Sequence, residues 1–189
     1  MAFLKVFSSM LLIGDVHIFG SDLNSQLGIT VGYEISLPTG EDVDRVLSSL
    51  SEYANAKGIA VKKVKASEWR VNHIFEVIRD FKSENGLESH TGEWPTEIKG
   101  LELFIHPAQE KMIIALGKYQ SSWFGFGSVK TQSAPIEAHK EVVSVLDEVG
   151  KFGAKLIVRD DSGFYASRDE RKLERTRGFT ARLAGRPGC

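Results

Sequence analysis

The residues that could do chemistry are few and scattered. Gly14-Asp15-Val16-His17 sets a carboxylate and an imidazole two positions apart after an apolar run. On an extended strand that spacing puts both side chains on one face, which is how a two-metal hydrolytic site can begin. The other histidines, His73, His90, His106 and His139, show no metal-ligand spacing. There is no Gly-x-Ser-x-Gly elbow, and Gly125-Phe126-Gly127-Ser128 lacks the Gly-Lys-Ser/Thr ending of a phosphate loop. The only cysteine is Cys189, so an intrachain disulfide and a Cys-based zinc site are excluded.

The Gly14–His17 stretch resembles the first metal-binding motif of the calcineurin-like metallophosphoesterases. That resemblance implies a metal-dependent phosphoesterase-like hydrolase with Asp15 and His17 as ligands. The family's later Gly-Asp, Gly-Asn-His and Gly-His-x-His segments have no counterpart here. The metal reading is therefore the alternative, and a turn aspartate beside a partly buried histidine is the plainer account of the same residues.

Two stretches without hydrophobic period offer a different kind of site. Trp94 stands among Glu88, Glu93 and Glu97, an aromatic residue with an acidic surround, and His90 lies beside it. Trp123, Phe124 and Phe126 stand among glycines and serines, in a stretch expected to be irregular. Aromatic anchors ringed by polar groups are what protein interfaces use, and an acidic rim suits a basic partner. The competing expectation is that these rings fold back into the core.

Length and composition bound the rest. The chain has 189 residues, 42% apolar and 26% charged, with a formal net charge of −1. One domain spanning 1–189 of globular composition follows, with no overall pull toward nucleic acid or an anionic membrane. Residues 1–14 form a short apolar segment below the ~20 residues that span a bilayer, and a buried element is expected there rather than a signal peptide. A cytoplasmic protein is expected. The stretch from Arg168 to Arg186 is locally basic, but its acids sit three or four residues from its bases, so a solvated helix face is expected and no nucleic acid.

The elements that must position these residues are readable from periodicity. Two apolar runs, Leu101–Ile105 and Met112–Tyr119, flank a turn containing Pro107 and predict a central hairpin. Leu27–Leu37 predicts a strand. Thr39 predicts the cap of a helix bearing Val43, Val46, Leu47, Leu50 and Tyr53 and closed by Gly58, and a strand follows over Ile59–Val64. A further helix is expected from Ser67, with Val71, Ile74, Phe75, Ile78 and Phe81 on one side. Pro135 opens another with Ile136, Val142, Val143, Leu146 and Val149, feeding a strand at Leu156–Val158. Asp160–Gly163 predicts a turn and Phe164–Ala166 a returning strand. Ser167 and Glu170 predict a capping box for a last helix stopped by Gly178, leaving 178–189 as a frayed basic tail.

The expected fold is α+β: a two-layer sandwich with a mostly antiparallel sheet and helices on one face. The repeated strand–helix–strand pattern suggests two βαβ-like halves, with coincidence as the alternative. The expected function is a non-catalytic protein-binding module, of which toxin-neutralising, immunity-type partners are an example. Its binding residues would be Glu88, Glu93, Trp94, Glu97, Trp123, Phe124 and Phe126, with no cofactor, no membrane, and a monomeric or homodimeric state. A small-ligand sensor with a pocket near the aromatic stretch is a further alternative.

Overall fold

The computed structural model of the protein describes residues 29–65 and 95–184. Its centre is a six-stranded sheet in the order β2-β3-β4-β5-β1-β6, antiparallel at every neighbouring pair. The strands are β1 (Thr30–Leu37), β2 (Ala60–Lys63), β3 (Ile98–Phe104), β4 (Met112–Tyr119), β5 (Ser122–Lys130) and β6 (Lys155–Asp160). Helix α1 (Gly40–Ala56) joins β1 to β2, and α2 (Ile136–Gly150) joins β5 to β6. The alternation of directions makes β1 parallel to β2 and β5 parallel to β6. Each crossover therefore links two parallel strands that other strands separate, and these are the two βαβ-like halves.

Local chemistry explains the two crossovers. Thr39 caps α1: its side-chain oxygen accepts from Asp42 N at 3.1 Å, and Glu41 and Asp42 complement the dipole in the first turn. At the other end Gly58 takes φ +69°, the left-handed conformation that lets the chain leave the helix. Pro135 is the residue before α2, where its missing N–H leaves no helical bond unmade.

Both helices lie on one face of the sheet. Val43, Val46, Leu50 and Ala54 of α1 and Val142, Val145, Leu146 and Val149 of α2 meet Val31, Tyr33, Ile35, Leu37, Leu101, Leu103, Ile114 and Leu116. The hairpin formed by β3 and β4 lies inside the sheet, while β2 and β6 are its outermost strands among the described residues. β2 is short and carries Lys62 and Lys63, the kind of edge that discourages pairing with another chain.

The opposite face has its own cluster, Ala115, Tyr119 and Phe124, with Val64, Ile98, Ile113, Phe126 and Ile157 partly buried around it. Ion pairs flank it. Glu102 meets Lys111 at 2.6 Å and Lys62 at 3.9 Å, and Glu34 meets Arg159 at 3.4 Å. Burial pushes the Glu34 carboxyl upward, and Arg159 opposes that push.

Four expectations are corrected. Residues 122–130 form a strand, because only Gln120 and Ser121 separate it from β4, with Gln120 turning the chain at φ 50°. Alternation then sends Trp123 into the helix-covered core and Phe124 to the other face. The glycines that suggested a loop serve packing instead. A Cβ at Gly127 would lie 2.5 Å from the Tyr33 hydroxyl, which crosses that bare position to donate to the Ile113 carbonyl at 2.7 Å.

Phe164–Ser167 is a helical turn, α3, and not a returning strand; Asp160 accepts from Tyr165 N at 2.8 Å and curls the chain there. The last helix, α4 (Glu170–Ala184), is capped by Asp169 and not Ser167, since Asp169 Oδ1 accepts from Arg171 N at 2.9 Å. It also runs straight through Gly178, so 178–184 is helix and not tail. An exposed glycine in a helix costs only about 1 kcal/mol against alanine, too little to stop one. The helix expected after Ser67 lies outside the described residues.

Candidate functional site

Among the described residues, the densest set of reactive side-chain types surrounds His139. This histidine sits on the apolar stripe of α2, three residues from Ile136 and from Val142, and is fully buried. Its Nδ1 is 2.7 Å from Thr131 Oγ1, just past the end of β5. Its Nε2 lies 3.3 Å from both Asp160 Oδ2 and Ser162 Oγ. Asp160 ends β6, and Ser162 occupies the following turn. Thr131 and Ser162 are also sealed from solvent, and the Phe164 ring stands edge-on to the imidazole at 5.9 Å.

Serine, histidine and aspartate in contact invite comparison with a hydrolytic triad, and the connectivity decides against it. In a triad the serine and the carboxylate sit on opposite ring nitrogens, so the ring can take the hydroxyl proton while the carboxylate steadies it. Here both lie on Nε2, and the Ser162 hydroxyl donates to Asp160 Oδ1 at 2.7 Å. The hydroxyl has no base to activate it, and no substrate reaches groups this buried. This is a structural cluster.

Its electrostatics agree. Burial works against the Asp160 carboxylate, yet bonds from His139, Ser162 and Tyr165 N outweigh it and hold the carboxyl at about 2. Next to it, burial raises the Asp161 carboxyl, although its Oδ2 accepts from Thr30 N at 3.0 Å. The cluster fastens α3 and α4 to the sandwich with a small apolar group, Ile29, Val143, Phe164 and Leu173. Arg177 of α4 adds bonds to the carbonyls of Thr131, Gln132 and Ala134.

A second candidate lies on the solvent side of the helices. Helix α1 carries Glu41, Asp42, Asp44 and Glu52 against Arg45 alone, and α2 carries Glu137, Glu141, Asp147 and Glu148 against Lys140 alone. Several of these acids are committed to the fold. Glu148 accepts from Ser49 at 2.8 Å, Glu141 from Tyr53 at 2.6 Å, and both oxygens of Asp44 from Lys99 at 2.8 Å. Glu41 and Glu52 instead line a shallow depression with Asp44, Arg45, Ser48, Ser49 and Phe152, a residue that is 36% exposed. An apolar ring beside free carboxylates can take a basic, partly apolar surface.

Of the residues expected to bind a partner, the structure describes Glu97, Trp123, Phe124 and Phe126, and it divides the three rings between the two faces of the sheet. Trp123 is 2% exposed, lying beneath the start of α1 with the Lys99 ammonium 5.3 Å from its ring centroid. Phe124 is 6% exposed and Phe126 partly buried, 6.3 Å apart on the opposite face of the sheet. Glu97 is exposed and sits 3.6 Å from Lys99. Glu88, Glu93 and Trp94 lie outside the described residues, as do Asp15 and His17. Among the described residues no group of three or more His, Cys, Asp or Glu could hold a metal ion, and no helix is long and apolar enough to cross a membrane. His106 lies in the β3–β4 turn, its Nδ1 accepting from Ala108 N at 3.1 Å.

Sequence reasoning passed over Thr131, His139, Asp160 and Ser162. The signal was His139 itself, a polar residue at the helical spacing of a buried stripe, which must find partners wherever that stripe is covered.

No protein-family model, curated protein or solved structure matches the chain.

Proposed function

We propose that the protein is a non-catalytic binding module that engages a basic protein partner through the solvent face of its helical layer. The observation that carries the reading is the depression lined by Phe152, Glu41, Asp44, Ser48, Ser49 and Glu52, in which three carboxylates and an exposed aromatic ring outnumber the one cation, Arg45. Trp123 and Phe124, buried in the two faces of the sheet, have no part in it. Toxin-neutralising, immunity-type proteins are the example of this class that an acidic face fits best. Carboxylates at the rim steer a basic partner and set the salt dependence of capture, and the ring supplies the desolvated anchor.

The test is affinity capture from the native host with mass spectrometric identification, comparing the unaltered chain with a Glu41→Lys/Glu52→Lys/Phe152→Ala variant. A partner held by the unaltered chain, released by salt and lost from the variant is the expected result. Equal retention of that partner by the variant removes this surface from the function.

A further inference from the structure

Three large apolar side chains stand exposed among the described residues: Phe104, Phe152 and Phe179. Two of them lie in surroundings of opposite charge. Phe152 shares its depression with Glu41, Asp44 and Glu52 against Arg45 alone. Arg45 is itself paired with Asp42, and Asp44 with Lys99. Among the described residues, Glu41 and Glu52 are then the carboxylates of the depression that no ion pair engages. Phe179 is 58% exposed and stands on α4, in sequence after Arg171 and Arg175.

Helical geometry puts Arg171, Arg175 and Phe179 on one stripe, each about 40° round from the last. Leu173, the buried anchor of α4, lies about 160° from the middle of that stripe, which therefore faces away from the body of the molecule. All three residues are exposed, with Glu174 at the margin, and among the described residues no ion pair engages either arginine. Arg177 is not part of the stripe, since it turns inward to the carbonyls of Thr131 and Gln132. Beside Phe179, Gly178 has no atom within 4 Å of where a Cβ would stand. Nothing in the fold asks for glycine there, and alanine would make the better helix. The bare position leaves a notch next to the ring, into which a neighbouring surface can close.

We propose that the chain self-associates, with the Arg171–Arg175–Phe179 stripe of α4 in one copy seated on the acidic depression around Phe152 in a second. The two surfaces are complementary in charge and alike in having one aromatic anchor. The arginines supply cations to Glu41 and Glu52, and the two phenylalanine rings leave water together at the centre. Arginine suits the task, because its planar fork can bind a carboxylate through two bonds. Exposed as it is, the stripe does not reach the depression of its own chain, so the contact has to be made between copies. A net charge of −1 gives two copies little overall repulsion to overcome. The inference rests on the reading of the depression as a binding surface, and it names a second copy as a partner for that surface. Any basic host protein then competes with α4 for the same carboxylates.

Sedimentation equilibrium of the full-length chain tests it. At low salt the average mass rises above that of the monomer as concentration increases, and high salt returns it to the monomer. Two variants separate the surfaces: Arg171→Ala/Arg175→Ala/Phe179→Ala removes the stripe, and Glu41→Lys/Glu52→Lys/Phe152→Ala removes the depression. Each alone stays monomeric. Mixed, they pair and stop at two chains, because one keeps an intact depression and the other an intact stripe. Pairing in the mixture also shows that both variants fold. An unaltered chain that stays monomeric overturns the inference, as does a mixture that does not pair. Association that persists in the stripe variant overturns it too. Association lost from the stripe variant but kept by the depression variant removes the depression from self-association and from the reading beneath it. A monomeric chain that still captures a host partner through the depression defeats self-association alone.

Discussion

Helices α1 and α4 are attached to the rest of the molecule by different physics. Helix α1 rests on the sheet through Val43, Val46, Leu50 and Ala54, all without exposure and all apolar. Among its described side chains, helix α4 offers one fully buried apolar residue, Leu173, beside the sealed polar cluster, Arg177 and rim pairs such as Lys140–Glu170. Apolar burial is non-directional and indifferent to pH. A cluster centred on one carboxylate is directional, and it fails as a unit if a donor or acceptor is removed. The core should therefore respond to lost volume, and the C-terminal attachment to lost charge or lost geometry.

The largest effect belongs to the first attachment. Leu50→Ala removes a fully buried side chain between α1 and the sheet and should cost about 3 kcal/mol, within the range for buried leucine truncations. Urea unfolding should show the same loss for β-sheet and helix signals, because α1 belongs to the common core. A loss confined to α1 would mean that the two attachments are not different in kind.

Asp160→Asn tests the second attachment with almost no change of volume. The carboxylate accepts from Ser162 N at 2.9 Å, Ser162 Oγ, Tyr165 N and the His139 ring. An asparagine turns one of its two acceptor atoms into a donor, which then points at donors in either orientation. A cost of about 2 kcal/mol is expected for the bonds left unmade. Hydrogen exchange should place the loss in α3 and α4, with β1, β4 and β5 still protected. Uniform loss across the sheet would show that the cluster is part of the core's cooperative unit rather than an attachment to it.

The two attachments were also unequally legible. The sheet and its two crossovers could be read, because apolar periodicity and the Thr39, Pro135 and Gly58 signals all record local backbone preferences. Residues 122–130 misled, because Gly125 and Gly127 resemble loop residues. Their function is to admit a neighbouring strand and the Tyr33 ring, which no local pattern encodes. The His139 cluster was illegible for a related reason: Thr131, His139, Asp160 and Ser162 come from separate elements and meet only once α2 has crossed the sheet. The surface around Phe152 joins the far end of α2 to the solvent side of α1, and is equally a product of packing.

Acid should separate the attachments without a mutation. Asp160 titrates at about 2 in the folded protein, against an ordinary value near 3.8. A depressed carboxyl contributes stability that is fully present above the unfolded value and is lost as pH falls toward the folded one. The contribution is about 2 kcal/mol, disappearing between roughly pH 4 and pH 2. Protection of α4 should fall through that window in the unaltered chain and much less in Asp160→Asn, which has already lost the interaction. Equal acid sensitivity in both would assign the effect to other carboxylates.

The smallest effect is expected where neither attachment is touched. Glu52 faces solvent on α1, and a charge reversal there opposes no buried group. Glu52→Lys should shift stability by less than about 0.5 kcal/mol, as surface substitutions away from special features do. The same change reverses one of the free carboxylates beside Phe152, so partner capture should weaken while the urea midpoint holds. Stability and binding respond here to separate surfaces: the sheet-facing side of α1 carries the fold, and its solvent side is left for recognition. A large drop in stability from Glu52→Lys would tie that carboxylate to the fold instead and withdraw it from the binding surface.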